Sequence, residues 1–137
     1  MDEDHLGLLA GQRLKPGMHR GLARRAAIAR AFAARPDFLL LDEPFVSLDE
    51  ATAARLRSEL VALTTRTKVT TLLVTHDLAE AIQLADRLFF LSDRPTRVIA
   101  EKALPPPRGT RSPEVIAAIG EELRAVLAQA TTETGGG

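Results

Sequence analysis

The chain of 137 residues contains no cysteine, no tryptophan and no tyrosine. The lack of cysteine excludes disulfide bonds and thiolate metal sites within this sequence and is typical of cytosolic proteins. Stacking on nucleic-acid bases needs exposed aromatic rings, and the aromatic content is 4%, all of it phenylalanine. The 18 basic and 18 acidic residues cancel, so no overall charge attracts polyanions. We therefore expect no nucleic-acid partner.

Long hydrophobic runs are also missing. No apolar run approaches the roughly 20 residues that a transmembrane helix requires. The sequence begins MDEDH, which is acidic, whereas a secretory leader begins with basic residues. We therefore expect no direct insertion into a membrane, so that any membrane role would depend on a partner. With 45% hydrophobic residues, the chain can build one modest core.

Two apolar runs, each followed by polar side chains, are the main feature that is present. Residues 38–41 read FLLL and lead directly into Asp42 and Glu43. Residues 69–74 read VTTLLV, and His76 follows them. Such apolar and β-branched runs are typical of buried strands, and the helical pattern between them predicts a βαβ unit with parallel strands.

The polar residues after these strands are expected to meet at one edge of the sheet. In open parallel sheets, ligands bind beyond the carboxyl ends of the strands, where Asp42, Glu43 and His76 would lie. One carboxylate there can hold Mg²⁺ and the other can act as a base toward water, which are requirements of phosphoryl transfer. The alternative is an acidic loop and a surface histidine beside two core strands. The convergence of three functional residue types favours a site.

Hydrophobic periodicity predicts the remaining elements. They are helices over residues 19–35, 50–65 and 77–85, strands over 88–91 and 97–101 that pair as an antiparallel hairpin, and a final helix that begins at Pro113. Residues 105–107 are three prolines and predict a stiff linker. Residues 131–137 are predicted to be disordered.

The quoted residues resemble a known family. The segments LLLDEP, SLD and VTHD are similar to the Walker B, D-loop and switch-histidine motifs of ABC transporter ATPases. The segment RRAAIARAFAARPD is similar to the helix that follows the signature motif of that family. The resemblance runs from about Pro16 to Leu127. It implies an α/β fold, namely the C-terminal half of a P-loop (RecA-like) ATPase domain with parallel strands, flanking helices, a C-terminal hairpin and a helix.

The resemblance also implies roles for individual residues, with ATP and magnesium as cofactors. Asp42 would hold Mg²⁺ through water, Glu43 would be the general base, and His76 would contact the γ-phosphate. Ser47 and Asp49 would belong to a D-loop that touches the opposite subunit of a nucleotide-sandwich dimer. An alternative for the Ser-Leu-Asp triplet is that it only caps the following helix.

The chain departs from the family pattern in two places. The signature consensus is LSGGQ, and residues 18–22 read MHRGL, so that Gly21 is kept while His19 and Arg20 replace small residues. We expect the helix to open at Gly21, with His19, Arg20 and Gly21 facing the nucleotide of the partner. No G-x-x-x-x-G-K-[ST] phosphate loop occurs in the sequence. The resemblance thus implies a chain that lacks the Walker A motif and is inactive alone.

The segment LSDRPTRVIAEKALPPPR resembles the tail of ATPase subunits that serve importers of nitrate, sulfonate and taurine. The expected organisation is a partial ATPase core over residues 1–104, a linker and helix over 105–130, and a tail over 131–137. The expected function is ATP-driven uptake of a small anion, with a second ATPase subunit in a head-to-tail dimer and membrane permease subunits as partners. The chain would then lie in the cytoplasm, at the inner face of the membrane. The alternative is a non-catalytic module that pairs with an intact ATPase and regulates it.

Overall fold

The computed structural model describes residues 16–134. Its elements, in chain order, are α1 Pro16–Ala33, β1 Phe38–Asp42, α2 Glu50–Thr67, β2 Thr70–Val74, α3 Leu78–Leu84, β3 Arg87–Leu91, β4 Val98–Ala103 and α4 Pro113–Thr134. Strands β1 and β2 pair in parallel, and β3 and β4 pair antiparallel. The predicted α/β class, with parallel strands, a hairpin and a final helix, is confirmed.

Helix α2 is the crossover that joins the parallel strands and covers one face of their sheet. The side chain of Asp49 caps its first turn by accepting a hydrogen bond from the Thr52 backbone at 3.0 Å. Helix α2 ends at Thr67, and its C-cap residue Lys68 adopts the left-handed conformation. Leu56 and Leu60, one turn apart, are 1% and 4% exposed and pack with Leu39 of β1 in one hydrophobic cluster.

A second cluster joins helices α3 and α4 to the hairpin. Its buried members are Ile82, Leu88, Leu104 and Leu123. The segment over residues 105–112 is fixed to this part of the protein rather than serving as a free spacer. The Arg111 guanidinium donates hydrogen bonds to the carbonyls of Ile82 (2.6 Å), Ala85 (3.0 Å) and Pro105 (2.6 Å). One arginine therefore holds the predicted linker against the end of α3, and the stiffness of residues 105–107 stays a prediction.

Several element ends differ from those that the sequence predicted. Helix α1 begins at Pro16 instead of residue 19, and α2 continues to Thr67. Helix α4 continues to Thr134, so the prediction of disorder is wrong for residues 131–134. Residues 135–137, which that prediction also covers, lie outside the described part of the chain.

The face of the parallel sheet opposite α2 is apolar and exposed. Its members alternate with less exposed positions along each strand, and they are Phe38 (53% exposed), Leu40 (60%), Leu72 (45%) and Val74 (43%). Leu40 and Leu72 lie opposite each other in the strand register. These four side chains are called the open face below. Parallel sheets are covered on both faces in α/β proteins, so the open face is a surface that further polypeptide would bury.

Gly21 permits a close contact between two helices. A Cβ atom added at Gly21 would lie 2.5 Å from Thr52 Cγ2 on α2, a distance that real Cβ atoms essentially never show. The Thr52 side chain cannot turn away freely, because its hydroxyl donates to Asp49 Oδ1 at 2.7 Å. The glycine therefore has a packing role between α1 and α2 that does not depend on any ligand.

Replacing Gly21 with alanine is expected to lower the free energy of unfolding by about 1–3 kcal/mol, because the added methyl group overpacks the contact with Thr52. Chemical denaturation measures the change. Thr52→Ser is the matched background, because serine keeps the hydroxyl that bonds to Asp49 and removes the methyl group. In that background, Gly21→Ala is expected to be neutral or stabilising, since alanine favours helix. An equal loss in both backgrounds would contradict this explanation.

Candidate functional site

The carboxyl ends of β1 and β2 bring Glu43 and His76 together. In the strand register Asp42 lies opposite Val74, the last residue of β2. The backbone N–H of Glu43 then donates to the Val74 carbonyl at 2.8 Å, which extends the pairing one residue beyond β1. Two loops therefore leave the sheet side by side. One carries Glu43 and the other carries His76.

The side chains of Glu43 and His76 are in direct contact. Glu43 Oε1 lies 2.7 Å from His76 Nδ1 and accepts a hydrogen bond from the His76 backbone N–H at 3.2 Å. Glu43 reaches this position with a left-handed backbone (φ 45°), which is uncommon for a residue other than glycine. The prediction that these residues meet at one edge of the sheet is confirmed. Asp42 lies at the same edge, exposed at the end of β1.

The contact changes the protonation of His76. The hydrogen bond to Glu43, with the attraction of its charge, raises the pKa of His76 above its ordinary value of 6.5. A group whose pKa is raised in the folded protein stabilises it fully below the unfolded pKa, and this stabilisation is lost as the pH rises through the folded pKa. The Glu43–His76 contact should therefore contribute to folding below about pH 6.5 and fade above the raised pKa.

Replacing Glu43 with glutamine is expected to lower the pKa of His76 toward 6.5, because the amide carries no charge to stabilise the imidazolium. Titration of the His76 ring signals by NMR in the 137-residue chain measures the change. Glu59→Gln is the control, because Glu59 of α2 pairs with Arg25 of α1, and its replacement should leave the pKa of His76 unchanged. A His76 pKa that is the same in the parent and in Glu43→Gln would show that the contact does not form in solution.

A cleft of about 190 Å³ lies beside the contact. Its lining includes Glu43, His76 and Asp77 from the strand ends, Phe45 and Leu48 from the loop before α2, and Arg57 and Glu80 from the two helices. Glu80 is 9% exposed, and burial raises its pKa, while a hydrogen bond with the Thr75 side chain opposes that rise. The cleft is thus built from the same two loops that carry Glu43 and His76.

Sequence reasoning missed both Arg57 and Glu80. A signal was present for Arg57, which lies four residues after Ala53 and three before Leu60, on the buried face of α2. A charged residue on a buried helix face usually has a buried partner. The sequence does not say that this partner is Glu80, because the pairing depends on how α2 and α3 pack.

The residues assigned to the D-loop lie in the loop between β1 and α2. Asp49 caps α2, and hydrogen bonds from the Thr52 side chain and backbone lower the pKa of its carboxyl. The alternative interpretation, a helix cap, is thus correct for Asp49 and does not exclude a second role. Ser47 is exposed and has a left-handed backbone (φ 64°). With Arg20 and Arg24 it lines an open groove of about 530 Å³.

The residues at the signature position lie within α1 rather than at its start. His19 and Arg20 are exposed, and Gly21 is buried. Only the N–H groups in the first turn of a helix are free to bind an anion. Because α1 begins at Pro16, the backbone N–H of Gly21 lies beyond that turn. The expectation that the helix opens at Gly21 is therefore wrong, and the contact of Gly21 with a phosphate stays a prediction. The backbone of Gly21 is used within the helix, and its missing side chain is used against Thr52.

Two findings bear on metal and membrane binding. Among residues 19–129, whose side chains the structure describes, no three His, Asp or Glu side chains are grouped so that they could hold a metal ion by themselves. None of the described helices has the length and apolar character needed to cross a membrane.

Comparison with known proteins identifies relatives, although no protein-family model matches the chain. An aliphatic sulfonates import ATP-binding protein of Burkholderia cenocepacia is 41% identical over 117 residues, which are 83% of this chain and 43% of the relative. A bicarbonate transport ATP-binding protein of Synechocystis is 43% identical over 103 residues, 72% of this chain and 36% of the relative. A nitrate import ATP-binding protein of Synechococcus elongatus is 40% identical over 97 residues, 70% and 35% respectively.

The chain therefore spans less than half the length of these relatives, and the match covers most of its own residues. The α/β fold with parallel strands agrees with part of an ATP-binding domain. The resemblance that the motifs carry is thus confirmed by homologues whose names include ATP binding and import. The chain is a relative of the ATP-binding subunits of ABC importers and corresponds to less than half of such a subunit.

Proposed function

We propose that the chain supplies the water-activating part of an ATP hydrolysis site in an ABC importer. The observation that carries the proposal is the contact between Glu43 and His76, 2.7 Å apart at the carboxyl ends of two parallel strands. Ligands of parallel sheets bind at this edge. Homology to import ATP-binding proteins supports ATP as the ligand.

In this proposal Glu43 is the general base. The two hydrogen bonds from His76 both end on Oε1 of Glu43, so Oε2 is the oxygen that faces an attacking water without a competing bond among the described residues. These bonds fix the orientation of the carboxylate. A general base needs a fixed orientation if it is to meet the attacking water in one geometry. His76 is exposed next to it and is the side chain that would contact the γ-phosphate and orient the water.

Asp42 is proposed as the residue that holds Mg²⁺. Magnesium usually keeps several waters and takes one or two carboxylates together with the phosphates of the nucleotide. An exposed aspartate at the rigid end of β1 fits that requirement, and a complete cage of protein ligands is not needed. The bound ion would neutralise charge on the transferred phosphoryl group.

Five further residues are proposed to contact the nucleotide, and the structure supports some of these contacts more than others. They are His19, Arg20, Gly21, Ser47 and Asp49. Ser47 and Arg20 line one open groove, where the guanidinium would attract a phosphate. Gly21 is assigned a packing role instead, which leaves His19 and Arg20 to act through their exposed side chains.

The proposed partners are the remainder of an ATP-binding subunit, a second such subunit and membrane permease subunits. The open face supports the first of these, because more than half of each relative has no counterpart in this chain. By analogy with the relatives, the imported solute would be a small anion such as a sulfonate or nitrate. The site would then lie in the cytoplasm, at the inner face of the membrane.

A second candidate function is a non-catalytic module that pairs with an intact ABC ATPase and regulates it. The sequence MHRGL at the signature position favours this function, because Arg20 stands where the family has a small residue. The Glu43–His76 contact opposes it, since a regulatory surface has no need of a carboxylate fixed by a histidine.

One experiment separates the two functions. The 137-residue chain and a fusion that adds the unmatched N-terminal part of the Burkholderia cenocepacia relative are each titrated with Mg-ATP by calorimetry and assayed for phosphate release. The proposed function requires no saturable binding by the chain alone, and both binding and hydrolysis by the fusion. Hydrolysis no faster than the buffer blank by a fusion that binds Mg-ATP would reject the proposed function and favour the regulatory module.

A further inference from the structure

An ion pair links the two helices behind the cleft. Arg57 of α2 and Glu80 of α3 approach each other with Nη1 and Oε2 3.6 Å apart. Their side chains are 12% and 9% exposed, which makes this the most deeply buried ion pair found among residues 16–134. The two helices follow the two loops of the site, because α2 comes after the Glu43 loop and α3 after His76.

Arg57 is bound to the Glu43 loop. Its guanidinium lies over the ring of Phe45, 5.9 Å from the centroid, and Phe45 is only 5% exposed. A second guanidinium nitrogen of Arg57 pairs with Glu50, at the first turn of α2. The position of Phe45 is therefore tied to Arg57, and Phe45 lies two residues after Glu43.

Glu80 is bound to the His76 loop. Its backbone N–H donates to Asp77 Oδ1 at 3.1 Å, and the N–H of Asp77 donates to the Thr75 hydroxyl at 3.1 Å. The Thr75 side chain also lies near enough to the Glu80 carboxylate to oppose the rise in its pKa. Glu80 thus contacts the residues on both sides of His76, through its backbone on one side and its side chain on the other.

We propose that the Arg57–Glu80 pair is a positioning device that holds the Glu43 loop and the His76 loop at the separation at which their side chains meet. This inference rests on the proposed function only where it assigns the Glu43–His76 contact a use in hydrolysis. Its two residues need not touch the nucleotide. They act through Phe45 on one side and Thr75 and Asp77 on the other.

Stability alone does not account for the pair. Buried ion pairs recover little of the cost of removing both charges from water, and apolar replacements of similar volume are often as stable. In this pair Arg57 Nε is also buried without a hydrogen-bond partner, which adds to the cost. The pair fixes the geometry between the two loops, and an apolar contact would fix it less well.

Arg57→Met in the 137-residue chain tests the proposal through the pKa of His76, measured by NMR titration. Loss of a nearby positive charge by itself would raise the pKa of His76. Loss of positioning would separate His76 from Glu43 and lower that pKa toward 6.5. The two effects have opposite signs, so a lowered His76 pKa supports positioning. An unchanged or raised pKa, in a protein whose amide spectrum remains dispersed, overturns it.

Two further variants complete the test. Arg25→Met removes the same charge from the exposed Arg25–Glu59 pair and is expected to leave the pKa of His76 unchanged. Arg57→Met/Glu80→Met leaves no unpaired buried charge, so it decides the matter if Arg57→Met does not fold. The double variant is expected to fold. Loss of the Glu80 charge by itself lowers the His76 pKa, so the readout in this background is the effect of adding Glu43→Gln. Glu43→Gln should no longer lower the His76 pKa there, and a drop as large as in the parent overturns the proposal. No nucleotide is used, so this result does not depend on whether the completed domain hydrolyses ATP.

Discussion

Replacing Glu43 with glutamine is expected to lower ATP hydrolysis by about 10²–10⁴-fold in a domain completed with the N-terminal part of a relative, while ATP binding stays the same. The amide keeps the shape of the carboxylate but cannot take a proton from the attacking water. Its oxygen can still accept the hydrogen bond that the His76 backbone gives to Glu43 at 3.2 Å, so the loop should keep its course.

Phosphate release and Mg-ATP calorimetry on the same preparation measure the two quantities. Glu121→Gln is the control, because Glu121 is exposed on α4 and pairs only with Arg124 among the described residues. It should leave both quantities unchanged. Hydrolysis by Glu43→Gln at the rate of the parent would remove Glu43 from the role of base, and a loss of ATP binding would show that the carboxylate serves binding instead.

The edge of the sheet was predictable because it follows from strand direction alone. Two apolar runs separated by a helix give parallel strands, and parallel strands bring their carboxyl ends together. Glu43 and His76 are 33 positions apart, and no side-chain detail was needed to expect them at one edge. The left-handed backbone of Glu43, which turns its carboxylate toward His76, was not predictable, because it comes from the loop and not from the strand pattern.

The packing role of Gly21 was not predictable, because the sequence shows a glycine and not its neighbour. The family pattern predicts a phosphate contact for Gly21, and the structure shows a further contact with Thr52 of α2, inside a helix that begins at Pro16. A glycine that allows two helices to approach and a glycine that opens a helix look alike in one sequence. The distance across the helix contact distinguishes them.

Arg57, Glu80 and Arg111 were not predicted for the same reason. Each makes a contact with a group more than 20 positions away. These contacts are the Arg57–Glu80 pair between α2 and α3, and the bonds from Arg111 to the carbonyls at the end of α3. Periodicity describes which face of a helix is buried but not which element it meets. Side chains that join elements are therefore the part of the site that the sequence leaves open.

We expect the 137-residue chain to self-associate through the open face, and Leu40→Lys to reduce that association. Leu40 is 60% exposed at the centre of this face and lies opposite Leu72. Both strands of the sheet also have one edge without a strand partner among the described residues, and such edges accept further strands. Apolar exposure of this kind favours contact between copies when nothing else covers it.

The size of the effect follows from the area that Leu40 would bury. Burying a leucine contributes about 1.5–3 kcal/mol, and a symmetric contact between two copies loses that contribution twice. The association constant should then fall by about 10²–10⁴-fold, at about 1.4 kcal/mol for each factor of ten. Sedimentation velocity over a concentration series measures it. Val115→Lys is the matched control, because Val115 is 43% exposed on α4, away from the sheet.

In a fusion of the chain with the N-terminal part of a relative, Leu40→Lys should lower stability instead of only reducing association. If that part covers the open face, the lysine introduced by Leu40→Lys would be buried there without a partner, and the melting temperature of the fusion should fall while Val115→Lys leaves it unchanged. A fusion whose stability is insensitive to Leu40→Lys would show that the added part does not cover this face. A parent chain that is monomeric at every concentration tested would contradict the prediction that two copies associate through the open face.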